Sequence, residues 1–418
     1  MGDFLSAAAG MGVDVTVGSN HRQVLGRFTP GRSLELGFRS LPDDVAAIAA
    51  HAERFPVDAV LGVDEQTTVL AASACEHLGL AHNPATAVLA AHDKFQLRRM
   101  LAEAGLPSPA FQALPLDHPD PSPMVEQFPC VLKPRDLSAS RGVIRADDVD
   151  GFATAWKRVA AIIETADAMP SILVESFIPG REVALEGLLT NGGLEVLALF
   201  DKPDPMDGPF FEETIYVTPS RASSEEQRMI AARTAAAARA LGLTHGPIHA
   251  ELRIDDRDAW IIELAARTIG GHCARALTFT GGIGLEELVL RHALALPISS
   301  LQRETRAAGV MMIPIPEAGR LQAVDGLSEA RAVDGIEQIT ISIPLGDELV
   351  PLPEGDRYLG FIFSRGQTAG AAENALRIAA SLLEFTIVGE TPGPQAYAPG
   401  KPSRIRISLP PGISAGTK

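Results

Sequence analysis

Glu251 and Glu263 stand in a stretch, Gly246 to Arg275, that alternates like a strand, turns at Asp255-Asp256-Arg257-Asp258 and alternates again. On the first run Ile248, Ala250, Leu252 and Ile254 share one face, and His249, Glu251 and Arg253 the other. On the second run Trp260, Ile262 and Leu264 share one face, and Ile261, Glu263, Ala265 and Arg267 the other. A hairpin folded about residue 257 pairs Ile254 with Trp260, Leu252 with Ile262 and Ala250 with Leu264, giving one apolar layer. Glu251 then lies opposite Glu263, and two carboxylates facing each other destabilise a strand pair unless a cation sits between them. All-oxygen ligation suits a hard ion such as Mg2+, with Mn2+ as a substitute, that shares its remaining positions with phosphate and water. The same pattern also describes a solvated hairpin face whose glutamates are balanced by Arg253 and Arg267. His249 points to the carboxylate side, where a lone histidine is more often packed or hydrogen-bonded than a base.

Three further stretches carry candidate chemistry. In KPRDLSASRGV, Lys133 ends a buried strand, and Ser138, Ala139, Ser140 and Gly142 are small enough for the backbone to close over phosphates through its N–H groups. An ordinary polar turn fits the same letters. The chain has no GxxxxGK[ST] motif and no GxGxxG opening a helix after its first strand. In ILVESFIPGREVALEG, Glu175 ends a strand, Ser176, Phe177 and Ile178 form a short bridge, and Glu182 follows. Exposed backbone groups on such a bridge can read an adenine edge, and a carboxylate can hold ribose hydroxyls; a strand bend at Pro179-Gly180 with surface glutamates is the plainer reading. Lys94, on an amphipathic helix, and Lys202, after a strand, are of a kind usually solvated.

The elements that must position these residues follow from periodicity and punctuation. Residues 1–90 read as a small α/β domain: DFLSAAAGMG is helical, VDVTVGS a strand, LPDDVAAIAAHAERFP a capped helix, VDAVLGVD a second, buried strand and TTVLAASACEHLG a helix. This alternation implies a parallel sheet with helices on its faces, apparently lacking its first strand because the chain opens on a helix. Residues 91–300 form a strand-rich core. It is entered by one helix, TAVLAAHDKFQLRRMLAEAG, which Gly105, Pro107 and Pro109 stop, and by a proline-rich link, LPLDHPDPSPM. The strands PCVLKP, SRGVIRA and ILVESFI follow, then a hairpin about Asn191-Gly192-Gly193, a long helix from Ser223 and the carboxylate hairpin. Residues 301–388 read as an α+β unit and 389–418 as a Pro/Gly-rich tail, mostly mobile.

Bulk properties narrow the function. A chain of 418 residues holds two or three domains. A formal charge of -16 argues against a general nucleic-acid binder but leaves room for a pocket with a few local cations. Cys75, Cys130 and Cys273 show no ligand spacing and fit a reducing cytoplasm. No apolar run reaches membrane-spanning length.

The order of the motifs is more telling than any one of them. A DK-containing helix, a lysine-tipped strand with a Ser/Gly loop, an ESFIPGRE hinge and a carboxylate hairpin ending in ExxxR occur in succession. This succession resembles the ATP-grasp superfamily, and the IIELAAR spacing, the GGH segment after it and the style of the C-terminal unit resemble L-amino-acid ligases within it. The resemblance implies an ATP-grasp fold of two subdomains gripping ATP, preceded by a pre-ATP-grasp domain. It implies that Lys94 and Lys133 contact the nucleotide and that Ser138, Ser140 and Gly142 cover its phosphates. Glu175, Ser176, Phe177 and Ile178 would form the adenine hinge, Glu182 would hold the ribose, and Glu251 and Glu263 would carry Mg2+. Arg267 would face an acyl phosphate or substrate carboxylate, with Lys202 and His249 completing the catalytic set. The implied reaction joins a carboxylate to an amine, both from amino acids, through an acyl phosphate; a homodimer would be ordinary for such a protein. A bicarbonate-using member of the superfamily (carboxylase or carbamoyl-phosphate type) and a non-catalytic nucleotide binder are the alternatives. Three positions depart from the pattern: Ala139 where glycine is common, Ala265 where D-alanine ligases place a metal-binding asparagine, and Tyr216 near an expected substrate-contacting histidine.

Overall fold

The computed structural model describes residues 2–20, 31–118, 121, 125, 127–389 and 402–407. The N-terminal part holds α1 (Gly2–Met11), β1 (Val17–Ser19), β2 (Ser33–Glu35), α2 (Leu41–Arg54), α3 (Glu65–Leu78), α4 (Ala85–His92) and α5 (Lys94–Glu103). Its parallel sheet has two strands, β1 and β2, among the described residues. The buried strand expected over VDAVLGVD does not form: among the described residues no neighbour offers that segment a ladder, and its Val60 carbonyl is met instead by the Cys75 thiol.

The single helix expected across Lys94 is two helices. Asp93 leaves helical geometry (φ -87°, ψ 105°), and its carboxylate caps α5 at the Phe95 amide and pairs with Arg135. Asp93 favours such a cap over a helix interior because its short carboxylate competes for backbone amides. The break puts Lys94 at the first turn of a helix, where its amide donates to the Arg135 carbonyl at 3.0 Å.

A small subdomain follows: β3 (Phe111–Pro115), β4 (Cys130–Pro134), β5 (Ile144–Ala146), α6 (Val149–Ala166) and β6 (Ser171–Ser176). Its antiparallel sheet has the order β3-β6-β4-β5. Phe152, Val159 and Ile163 of α6 pack on it beside Leu132, Ile144 and Ile172. β3 starts the stretch that composition marks as a link. Its one proline, Pro115, closes the strand, where a missing donor does no harm.

The larger body is built on β7 (Arg181–Thr190), β8 (Gly193–Lys202), β9 (Ile215–Thr218), α7 (Ser224–Leu241), β10 (Gly246–Ile254) and β11 (Ala259–Ala265). A short ribbon, β12 (Thr278–Phe279) with β13 (Ile283–Gly284), and α8 (Leu285–Ala293) lead on to β14 (Ala307–Ile313), β15 (Gly319–Asp325), α9 (Leu327–Arg331), β16 (Ile336–Ile341) and β17 (Glu348–Leu349). β18 (Gly360–Gly366), α10 (Ala369–Ser381), β19 (Glu384–Val388) and β20 (Pro402–Arg406) complete the described chain. The central sheet has eight strands in the order β11-β10-β7-β8-β9-β14-β18-β16, so it runs without interruption past residue 300. Part of the tail expected to be mobile is a strand: β20 pairs with β19. No helix of the described residues is long and apolar enough to cross a membrane.

Two apolar layers fix the central sheet. Leu185, Ile248, Ala250, Leu252 and Leu264 face α4, α5 and α7. Ala184, Leu188, Phe200, Val310 and Met312 line the opposite core. The hairpin register agrees with expectation at Ala250–Leu264 and Glu251–Glu263 and departs from it beyond. A bulge shifts the pairs to Leu252–Ile261, Arg253–Trp260 and Ile254–Ala259. Ile261 therefore joins the core at 1% exposure, whereas Ile262, expected there, is the extra residue and turns to the cleft. A bulge lets one residue leave the ladder without unzipping it.

Gly180 closes the turn into β7 at φ 104°, and a Cβ there would sit 2.1 Å from the Ile254 carbonyl oxygen. Gly180→Ala is expected to destabilise the protein by about 2 kcal/mol or more, read as a lower urea midpoint. An unchanged midpoint would show that the hinge and the hairpin end are not in contact.

Candidate active site

Between the small subdomain and the central sheet lies a cleft lined by Lys94, Lys133, Ser138, Ser140, Glu175, Ser176, Phe177, Ile178, Glu182, Glu251 and Glu263. Its mouth continues along Arg145, Phe177, Arg181, Glu182 and Lys202. Residues far apart in sequence meet here because β10 pairs antiparallel with both β7 and β11, which sets Glu182, Glu251 and Glu263 on adjacent strands, and β6 runs directly into β7.

Lys202 is the centre of one half of the cleft. Its ammonium donates to Glu182 at 2.7 Å and to Glu213 at 2.6 Å, and lies 3.2 Å from Glu251. Burial opposes its charge, yet the three carboxylates hold its pKa well above the usual lysine value. Burial and the nearby Glu251 push Glu213 up to about 7 against the pull of Lys202. Glu251 goes the other way: Lys202 and His249 override the effect of burial and keep it well below the usual carboxylate range. One oxygen from each of Glu182, Glu213 and Glu251 lies within 4.8 Å of the others. One lysine does not neutralise three carboxylates. The surplus negative charge, offered by oxygen ligands alone, fits a hard divalent cation.

Glu263 is the register partner of Glu251, and its carboxylate lies 3.9 Å from Lys94. Lys94 donates to the Leu137 carbonyl at 2.6 Å, so it ties the start of α5 to the small-residue loop. In that loop Ala139 (φ 56°), Ser140 (φ 55°) and Gly142 (φ 73°) all take left-handed backbone. At Ala139 this conformation costs about 1 kcal/mol that glycine would not incur.

Arg98, one helical turn after Lys94, is fully buried. It donates to Glu175 through Nε (2.6 Å) and Nη2 (3.3 Å), and Nη2 also donates to the carbonyl of the bulged Ile262 at 2.6 Å. Lys133 meets the other side of Glu175 at 2.8 Å. Burial works to raise the Glu175 carboxyl, but Arg98 and Lys133 prevail and hold it at about 2. The Glu175 side chain is thus spent on positioning Lys133. Ser176 and Phe177 donate their amides to the Ala110 and Pro129 carbonyls, while the Ile178 amide makes no hydrogen bond among the described residues.

His249 and Arg267 stand behind this constellation and do not line the cleft. Nδ1 of His249 meets Glu186 at 2.6 Å, and Nε2 lies 3.3 Å from Glu251. Burial disfavours the imidazolium, but Glu186 raises its pKa to about 9. Nε of Arg267 donates to Glu65 at 2.5 Å, and His92 lies 3.3 Å from the same carboxylate. Tyr216 is buried, and its hydroxyl donates to Glu213 at 2.6 Å.

Sequence reading missed Glu213, Arg98, Glu65 and Glu186. Arg98 carried a signal, since i and i+4 with Lys94 puts both on one helix face. Glu65, Glu186 and Glu213 carried none, because their partners are distant in sequence.

Residues 126–276 match the ATP-grasp domain family, and residues 311–388 match the L-amino acid ligase C-terminal domain 2 family. The chain thus carries an ATP-grasp domain over residues 126–276. Among proteins with that domain the resemblance is to L-amino-acid ligases: the crystal structure of an L-amino acid ligase from Bacillus licheniformis superposes with a TM-score of 0.79 at 28% identity, covering 91% of this chain and 95% of that one. An alanine–anticapsin ligase of Bacillus subtilis is 26% identical over 266 residues, 59% of this chain and 56% of the relative. A D-alanine–D-alanine ligase of Gloeobacter violaceus is 25% identical over 284 residues, 63% of this chain and 85% of the relative. The chain thus spans just over half the length of the first of these curated relatives.

Glu175 gives a pH prediction. Its pKa is about 2 in the fold against an ordinary 4.5. A lowered carboxylate stabilises fully above its unfolded value, and that stability is lost as pH falls from about 4.5 to about 2. Glu175→Gln is expected to cost about 3 kcal/mol at pH 7, leaving Arg98 and Lys133 without their counter-charge. It should also flatten the stability profile over that acid window. Urea midpoints measured from pH 7 to pH 3 test this; parallel profiles for the two proteins would refute the buried pairing.

Proposed function

We propose that the chain is an ATP-dependent ligase that joins a carboxylate to an amine, both from amino acids, through an acyl phosphate with release of ADP and phosphate. The observation that carries this reading is the convergence in one cleft of Lys94, Lys133 and a small-residue loop with Glu251 and Glu263. Binding alone would not require that set.

In this reading the adenine lies against Phe177 and Phe211, with its edge at the free Ile178 amide, and Glu182 meets the ribose. Lys94 and Lys133 neutralise phosphate charge while the backbone from Ser138 to Gly142 covers it. Glu251 and Glu263, with Glu213 beside them, would hold Mg2+ or Mn2+, which supplies charge neutralisation and Lewis acidity at the phosphates.

A substrate carboxylate oxygen attacks the γ-phosphorus, and the bond to ADP breaks. Lys202 stabilises the negative charge that develops, and Arg267, held by Glu65 behind the cleft lining, adds its field from a distance. The amine then attacks the acyl carbon, phosphate leaves with the bonding electrons, and the nitrogen loses a proton. No enzyme nucleophile takes part, and none is needed. Closure over the site protects the acyl phosphate from water. His249, held by Glu186, orients Glu251 and stays off the reacting atoms.

Phosphate release from ATP and Mg2+ across paired amino acids, with hydroxylamine present to trap acyl phosphate, tests the proposal. The native protein is expected to need a carboxylate and to yield hydroxamate or dipeptide. Glu263→Gln should reduce turnover at least about 100-fold, a loss of about 2.7 kcal/mol of transition-state stabilisation, with an unchanged melting temperature. Turnover that needs bicarbonate, or full turnover in Glu263→Gln, would defeat this reading.

A further inference from the structure

The C-terminal unit does more than extend the central sheet. Between β17 and β18 a short segment leaves its own neighbours and crosses to the small subdomain. The Pro353 carbonyl accepts from the Gly142 amide at 2.8 Å. The Glu354 carbonyl accepts from Nε of Arg141 at 3.0 Å. The Glu354 carboxylate takes both Nε and Nη2 of Arg158 on α6, the latter at 2.8 Å. Asp356 lies 4.0 Å from Arg141. One segment therefore grips the small-residue loop at two successive residues and the helix behind it.

The gripped loop has little freedom of its own. Gly142 is wedged so that a Cβ would lie 2.7 Å from Pro134 Cγ. The cleft under the loop encloses about 80 Å³. Ligand pockets usually take roughly 300–1,000 Å³; the adjoining mouth, at about 370 Å³, meets that size, so it is the narrow part under the loop that needs the loop to lift before a phosphate chain enters. The Arg158 and Glu354 side chains are each 41% exposed, so the pair is a surface clasp that can part without opening the core.

We propose that residues 353–356 are a latch on the phosphate-covering loop, with Glu354 as the positioning residue that acts through Arg158. The latch holds the loop over the cleft, and its release limits nucleotide access and ADP departure. This second half rests on the ligase reading given above; the first half does not.

Charge exchange tests both. Arg158→Glu and Glu354→Arg are made singly and together in the full chain. Hydrogen exchange of peptides over residues 136–146 is measured without nucleotide, with a peptide of α10 as internal control. Each single variant is expected to speed loop exchange at least threefold and leave α10 unchanged, and the double variant to return within twofold of native. Dissociation of a fluorescent ADP analogue, followed by stopped flow, should quicken at least threefold in the single variants and recover in the double. Loop exchange that ignores the variants would overturn the latch. Faster exchange with unchanged ADP departure would overturn its gating role. Absence of nucleotide binding in the native protein, with exchange behaving as expected, would uphold the latch and count against the ligase reading alone.

Discussion

A guanidinium with no access to water must find its partners inside the protein, and Arg98 finds them on two elements besides its own. Its own helix, α5, comes from the N-terminal side, Glu175 from the small subdomain and the Ile262 carbonyl from the central sheet. Such a charge is costly to bury and still more costly to leave unanswered. The three elements are therefore locked into one geometry. Through Glu175 the lock reaches Lys133, and through the bulge at Ile262 it sets where Glu263 projects. Lys133 and Glu263, which the ligase proposal places at the phosphates and the metal, thus take their positions from one arginine behind them.

The opposite half of the cleft is organised by excess. Glu182, Glu213 and Glu251 crowd one lysine; His249 is shared with Glu186, and Arg253 lies 4.0 Å from Glu182 and pairs more closely with Asp207. Repulsion on this scale is tolerable in a site that receives a further cation. It also makes the carboxylates unequal: Glu251 stays ionised, and Glu213 rises towards neutrality.

The flanking units contribute to the site as well as to the core. Glu65 at the start of α3 holds Arg267, so the N-terminal domain sets the direction of a guanidinium carried by the segment after β11. The C-terminal unit adds β14, β18 and β16 to the central sheet and sends Pro353 and Glu354 to the loop. The fold is in this sense one active-site frame built by three parts of the chain.

Much of this was legible in the letters. Periodicity marked nearly every long helix and strand, because apolar spacing reflects which face is buried whatever lies beyond it. The opposition of Glu251 and Glu263 followed from alternation about a short turn, a relation between close neighbours in sequence. Strands that depend on distant partners escaped: β3 pairs with β6 and β20 with β19, while VDAVLGVD has strand letters and no partner. The break at Asp93 and the bulge at Ile262 escaped too, since each exists to satisfy a charge, Arg135 in one case and Arg98 in the other. Sequence by itself determined which local face residues close in sequence share, as with Glu251 opposite Glu263, and it left out Arg98, Glu65, Glu186 and Glu213. Tertiary structure alone decided their counter-charges, and so the ionisation and direction of each carboxylate. The reason is physical: alternation and helical phase act between neighbours, whereas a buried charge is answered by whatever the fold brings within about 3 Å.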